Sequence, residues 1–114
     1  MSTARSILRC AAGGALLVNA IPQGTAGVRG EPFPTPFASP PGVGLSAPVV
    51  NVAWSAVNAV VAAVLLGRGI RTPGERVAVA LGAVAMAFVV AFHFGSVRAG
   101  GRGLRGVGRG RARS

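Results

Sequence analysis

Twenty consecutive residues without a charge, APVVNVAWSAVNAVVAAVLL at positions 47–66, constrain the fold of this chain more than any other feature. At about 1.5 Å of rise per residue, a helix of this length spans roughly 30 Å, the thickness of the hydrocarbon core of a bilayer. We therefore interpret this stretch as a membrane-spanning helix. Ser46 offers a hydroxyl as its N-cap, and Gly67 favours its end.

A second span follows at residues 73–94. Thr72 is a good N-cap, Pro73 suits the first helical position, and Glu75 lies where it can close a capping box. The uncharged part of this segment, residues 77–94, is just long enough to cross a bilayer. We predict that this helix ends at Phe94.

The apolar segment near the N-terminus is weaker, because two glycines, an asparagine and Pro22 interrupt it. It fits a signal peptide, with a basic start, a short apolar region and a cleavage-site pattern at residues 18–20. It also fits a membrane helix over residues 7–24, with the proline near the helix end. We prefer the helix, because the apolar region is short and rich in glycine for a signal peptide.

The predicted fold is therefore an all-α membrane protein with three helical segments in one domain, residues 1–95. Between the first two helices, residues 28–46 contain five prolines, which remove donors and hold their neighbours extended. We predict a loop there without helix or sheet. Phe33 and Phe37 should lie in the membrane interface as anchors or fold back over the helix ends.

Residues 96–114 are dominated by glycine and arginine, and we predict that this tail is disordered. The chain has a net charge of +10, with twelve arginines and two glutamates. Arginines beside a membrane attract acidic lipid headgroups, which are the expected partner of the tail. The tail has no aromatic residue to stack on bases, so we do not expect nucleic acid as a partner.

Polar side chains mark one face of the central helix: Asn51, Ser55 and Asn58 are separated by four and three residues. We predict that they contact another helix, and that Ala78 and Gly82 form a small-residue contact on the third helix. The alternative is a polar lining for a small solute in an oligomer. The two uncharged runs, residues 47–66 and 77–94, contain no Asp, Glu, Lys or Arg, the residues that mark proton relays and ion pathways, which argues against proton-driven transport.

We find no catalytic, cofactor or metal site in the sequence. No nucleophile and base, or pair of carboxylates, can be assembled from these residues. His93 is the only histidine, and one histidine cannot by itself hold a metal or haem; between two phenylalanines it is expected to be an interfacial anchor. Cys10 is the only cysteine, which excludes an intrachain disulfide and indicates a buried thiol.

The orientation in the membrane is left open by the charges. Three spans divide the arginines into groups of five and seven, and neither orientation satisfies the positive-inside rule well. If the first segment lies in the interface, the other two helices form a hairpin with nine arginines on one side and three on the other.

The loop and its junction with the central helix follow the pattern FPTPFxxPPGxGxSxPxxNxxWxxxN, at residues 33–58. This pattern resembles small integral membrane proteins of high-GC actinobacteria, a family without an assigned function. The resemblance extends more loosely over residues 7–95 and implies one membrane domain of three segments, with the loop folded over the helix ends. Proteins that resemble this pattern look as if they carry a histidine directly after the proline that ends their first helix. This chain has Gln23 at that position.

From these observations we expect a non-enzymatic integral protein of the cell membrane. It would act by helix association, with itself or with a larger membrane protein. A component of a small-solute transport or pore assembly is the alternative.

Overall fold

The structure, a computed structural model, describes residues 3–107. Three of its helices are long and apolar enough to cross a membrane, which confirms the predicted all-α fold with three segments. The elements in chain order are α1 (Thr3–Val28), β1 (Phe33–Pro34), β2 (Leu45–Ser46), α2 (Pro48–Leu66), α3 (Pro73–Arg98) and a 3₁₀ turn (Gly103–Gly106).

The first helix is the centre of the molecule. Helix α1 packs against both α2 and α3, whereas α2 and α3 hardly touch each other. The helices therefore lie side by side in a flat layer, whose extents are 46 × 35 × 17 Å.

Glycines allow α1 to approach both neighbours closely. A Cβ atom on Gly14 would overlap the Val79 carbonyl oxygen of α3, and one on Gly82 would overlap the Ala11 carbonyl oxygen of α1. Towards α2, a Cβ atom on Gly27 would lie 2.8 Å from the Pro48 carbonyl oxygen. The glycines of α1 make the N-terminal segment less apolar, but they also allow its backbone to lie directly against the backbones of α2 and α3.

The ends of α2 and α3 show which capping predictions are correct. The capping box of α3 is confirmed: the Thr72 hydroxyl accepts from the Glu75 N–H at 3.1 Å, and the Glu75 carboxylate accepts from the Thr72 N–H at 2.9 Å. The N-cap prediction for α2 is wrong. Its N-cap is Ala47, without a side-chain cap, because the Ser46 hydroxyl pairs with the Thr35 hydroxyl at 2.6 Å.

Two helices are longer than predicted. Helix α1 continues past Pro22 to Val28, and the Thr25 hydroxyl donates to the Ile21 carbonyl at 2.6 Å within this extension. Helix α3 continues past Gly95 to Arg98. An interior proline costs a helix about 3 kcal/mol and a glycine about 1 kcal/mol, yet each helix continues through its residue.

The predicted tail therefore starts too early. Residues 96–98 complete α3, and residues 99–107 form a turn followed by the 3₁₀ turn. The Gly103 N–H donates to the Ser96 hydroxyl at 3.1 Å, so this part of the chain folds back on the end of α3. The rest of the predicted disordered tail, residues 108–114, lies outside the described residues.

The prediction that the proline-rich loop contains no sheet is also wrong. Strands β1 and β2 pair antiparallel, with Phe33 opposite Ser46. Both strands are edge strands, so a proline in β1 is tolerated. The loop folds back over the helix ends: the Phe33 ring lies 4.8 Å from that of Phe94, and the Phe37 ring lies edge-on to Trp54 at 5.1 Å.

Candidate functional site

The two ends of the helix layer are built differently. One end, which we call the arginine end, joins the start of α1 to the α2–α3 connection at residues 67–72. The other, the loop end, gathers the proline-rich loop, the 3₁₀ turn and the neighbouring helix ends.

At the arginine end, Arg9 links all three helices. Its guanidinium donates to the Leu65 carbonyl at 2.6 Å, to the Gly69 carbonyl at 2.9 Å and to the Glu75 carboxylate at 3.3 Å. Only 11% of the Arg9 side chain and 10% of the Glu75 side chain are exposed. In the sequence, Arg9 is simply part of the basic start of the N-terminal segment. An arginine next to an apolar segment needs a partner, and this chain has only two acidic side chains that could be that partner, Glu31 and Glu75. The small number of carboxylates was therefore a signal for this ion pair.

Between α1 and α2, side-chain hydrogen bonds cross the interface. The Asn19 amide donates to the Asn58 amide oxygen at 2.9 Å, and the Ser55 hydroxyl donates to the Ala20 carbonyl at 2.7 Å. Ser55 and Asn58 thus bond to another helix. In α3, Ala78 is buried, and Gly82 faces the backbone of α1.

Asn51 differs from its prediction, because its amide bonds to the loop and not to another helix. The side chain is fully buried, and its Nδ2 donates to the Phe33 carbonyl at 3.1 Å, the Ser46 carbonyl at 3.0 Å and the Ala47 carbonyl at 3.1 Å. The reason is its height in the layer: Asn51 lies in the first turn of α2, level with β1 and β2.

Replacing Asn51 by leucine is expected to release the loop, because β1 loses its bond to α2. Phe37 would then leave Trp54, and the emission of this single tryptophan should change. Val60→Ala is the control, since it changes an exposed side chain of the same helix away from the loop. Equal spectra for Asn51→Leu and the parent protein would contradict the anchoring role.

His93 joins α3 to two other parts of the loop end. Its Nε2 bonds the Gly42 carbonyl at 2.7 Å, and its Nδ1 accepts the Leu104 N–H at 2.9 Å. A carbonyl can only accept and an amide N–H can only donate, so these bonds require the neutral ring with the proton on Nε2. His93 and Phe94 also meet edge-on, with ring centroids 4.9 Å apart. The sequence predicted an interfacial anchor here, and the two hydrogen bonds were not foreseen.

His93→Phe is expected to free the 3₁₀ turn from α3. The Leu104 amide should exchange with deuterium about tenfold faster, as the loss of one hydrogen bond implies. Ser96→Ala is the control, because it removes the acceptor for Gly103 and leaves the imidazole in place. Unchanged Leu104 exchange in His93→Phe would show that the imidazole bond does not hold the turn.

Beneath the loop, between α2 and α3, lies a cavity of about 260 Å³. Its lining is mostly apolar, and its polar members come from α1, the loop, α2 and α3: Asn19, Gln23, Thr35, Trp54 and His93. Gln23 is 3% exposed, and its Nε2 donates to the Pro34 carbonyl at 3.2 Å. Its Oε1 has no hydrogen-bond partner within residues 3–107.

Comparison of the chain with protein-family models, curated proteins and solved structures gives no match. In the part of the chain that the structure describes, no group of three or more His, Cys, Asp or Glu side chains could hold a metal ion. The chemistry that the loop end offers is hydrogen bonding from amide, hydroxyl and indole groups beside an apolar wall.

Proposed function

We propose that this chain is a non-enzymatic integral protein of the cell membrane, crossing it three times and acting by association of its helices in the bilayer. The observation that carries this proposal is the single-layer packing. Helix α3 touches mainly α1. Only 6% of the apolar 18-residue stretch of α3 that could cross the membrane is buried within the chain. The partner is a second copy of the chain or a larger membrane protein.

The outer face of α3 presents large apolar side chains that the rest of the chain does not cover. Its large exposed side chains are spaced by four, three, four and four residues, which places them on one ridge: Val77, Leu81, Val84, Phe88 and Phe92. They are between 53% and 75% exposed. In lipid, helices associate through close packing, so a continuous ridge can interlock with a facing helix.

A solute path within one chain is less well supported. Asn51 and Asn58 are 0% and 3% exposed, and their amides bond to the loop and to α1, so they present no polar lining. Three helices in one layer also enclose no channel. A pore would need several copies and a different set of lining residues.

Two further proposals concern the loop end. Arg98, Arg102 and Arg105 are exposed there, which supports acidic lipid headgroups as partners.

The residues that carry the resemblance to the actinobacterial membrane proteins meet at this end: Asn51 bonds Phe33, and Phe37 packs against Trp54. This arrangement supports membership of that family.

The test of association is energy transfer between copies reconstituted in vesicles. The label site is Ser39→Cys in a Cys10→Ser background, so that donor and acceptor chains carry one label each. We expect transfer that unlabelled chain competes away and that Phe88→Ala reduces. Val60→Ala, at an exposed site on α2, is the matched control.

Transfer no greater than that of randomly distributed labels would contradict self-association. A photo-crosslinker at Phe88 in native membranes then tests the larger partner, and the absence of both signals would refute the proposal. The three spans are tested with an impermeant thiol reagent and single cysteines in the Cys10→Ser background. Thr3→Cys and Arg68→Cys should react from one side of the membrane, and Ser39→Cys and Arg105→Cys from the other.

A further inference from the structure

We propose that the cavity beneath the loop is a binding site for a small uncharged molecule with an apolar body and one hydroxyl donor. Gln23 Oε1 is the acceptor of that hydroxyl. This inference is independent of helix association, because it concerns the inner side of the loop end and not the outer ridge of α3.

The orientation of the Gln23 amide is determined by its surroundings. Its Nε2 donates to the Pro34 carbonyl at 3.2 Å, and a flipped amide would place two carbonyl oxygens against each other. The Oε1 atom therefore faces away from Pro34, and it is buried without a partner within residues 3–107. A buried acceptor left unpaired is costly, so the site favours a molecule that brings a donor.

Two other polar side chains of the cavity, His93 and Thr35, are already engaged. Both ring nitrogens of His93 are bonded, to Gly42 and Leu104. The Thr35 hydroxyl pairs with Ser46 and accepts the Phe37 N–H. The Gln23 Oε1 atom is the buried acceptor of this lining that lacks a partner within residues 3–107, so it is the group that a ligand hydroxyl would satisfy.

The lining determines the rest of the ligand. Trp54, Met86, Val90 and Phe94 supply an apolar wall, and no Asp, Glu, Lys or Arg of the described residues lines the cavity. An ionised ligand would lose its hydration without gaining a countercharge, which favours an uncharged one. The volume of about 260 Å³ exceeds the roughly 150 Å³ of an apolar cavity that holds benzene, so a substituted ring fits.

The position of the cavity gives such a molecule a route. Helices α2 and α3 do not close over α1, and the cavity lies in the gap between them. An apolar ligand dissolved in the bilayer can therefore enter between these helices, below the loop that Asn51 and His93 hold in place.

The experiment uses Trp54, the only tryptophan of the chain and a cavity residue. The full chain in lipid nanodiscs is titrated with para-propylphenol and with para-propyltoluene, which replaces the hydroxyl by a methyl group. With concentrations expressed relative to lipid, we expect saturable changes in Trp54 emission. The phenol should bind about tenfold more tightly, as one hydrogen bond to a buried acceptor implies.

Gln23→Leu should remove the preference for the phenol. Val90→Phe, which fills the cavity and leaves Gln23 in place, should abolish the saturable signal of both compounds. This second variant keeps the proposal testable if Gln23→Leu does not fold. Signals that never saturate, or that persist in Val90→Phe, would overturn the site; an unchanged phenol preference in Gln23→Leu would overturn the role of Gln23.

Discussion

Replacing Gly82 by alanine is expected to separate α3 from α1 and to destabilise the helix layer by about 3 kcal/mol, the upper part of the usual range for overpacking. The added methyl group would overlap the carbonyl oxygen of Ala11. The obstacle is backbone, which cannot rotate away as a side chain can, so the two helices must move apart. A titration with SDS in mixed micelles, followed by Trp54 emission, measures the loss.

Gly95→Ala is the matched control for this prediction. It makes the same change in the same helix, and a Cβ atom there meets nothing within 4 Å. Alanine is the better helix former, so this variant should be unchanged or more stable by about 0.5–1 kcal/mol. If the two variants unfold at the same SDS fraction, the close approach of α1 and α3 does not contribute to stability.

Arg9→Leu is expected to produce the other large effect, because it removes the hydrogen bonds that join the three helices at the arginine end. The Leu65 and Gly69 carbonyls lose a charged donor, and Glu75 loses its cation. The two carbonyl bonds alone imply a loss of about 3 kcal/mol, since each is a hydrogen bond to a charged group. The same SDS titration measures it, and the connection between α2 and α3 should become more sensitive to protease.

Arg68→Leu tests whether charge alone explains the result. It removes one arginine from the same end of the molecule, and Arg68 is exposed. We expect a change close to zero, as for most surface substitutions. Arg9→Lys should fall between the two, because an ammonium group keeps the charge near Glu75 but cannot reach all three acceptors. Equal unfolding of Arg9→Leu and Arg68→Leu would refute the linking role.

Both predictions follow from the central position of α1, which also bears on the proposed function. Because α1 uses its two sides for α2 and α3, the outer flanks of the layer belong to those two helices. The α3 ridge is therefore available to a partner without any rearrangement of the chain. A variant that loosens α1, such as Gly82→Ala, should weaken association indirectly, whereas Phe88→Ala should weaken it with the fold intact.

Parts of the candidate site could be predicted, and parts could not. A polar residue within an apolar helix must find a partner, so the bonds of Ser55 and Asn58 to a neighbouring helix were foreseeable. Their partners, the Ala20 carbonyl and Asn19, were not. The same rule applies to Gln23, but its importance for a ligand comes from the cavity beside it and from one unpaired oxygen, which no local pattern shows.

The sequence by itself indicated the type of the helices and where the two stronger ones lie, because these depend on local properties. Uncharged runs of bilayer length specify these two helices, and the capping box at Thr72 and Glu75 marks where α3 begins. Residues that disfavour a helix were less reliable guides to where the helices end. Pro22 and Gly95 both disfavour a helix, but the helices run through them, so a single residue of this kind does not fix a helix end.

Only the tertiary structure decided which helix is central and what its glycines do. In the sequence, Gly13 and Gly14 make the first segment look like the weakest of the three. In the fold they are buried, and Gly14 lies against the backbone of α3. The same holds for Arg9 and His93, whose bonds reach residues more than fifty positions away. A local pattern records what a residue is, but close approach and hydrogen bonding depend on what lies opposite it.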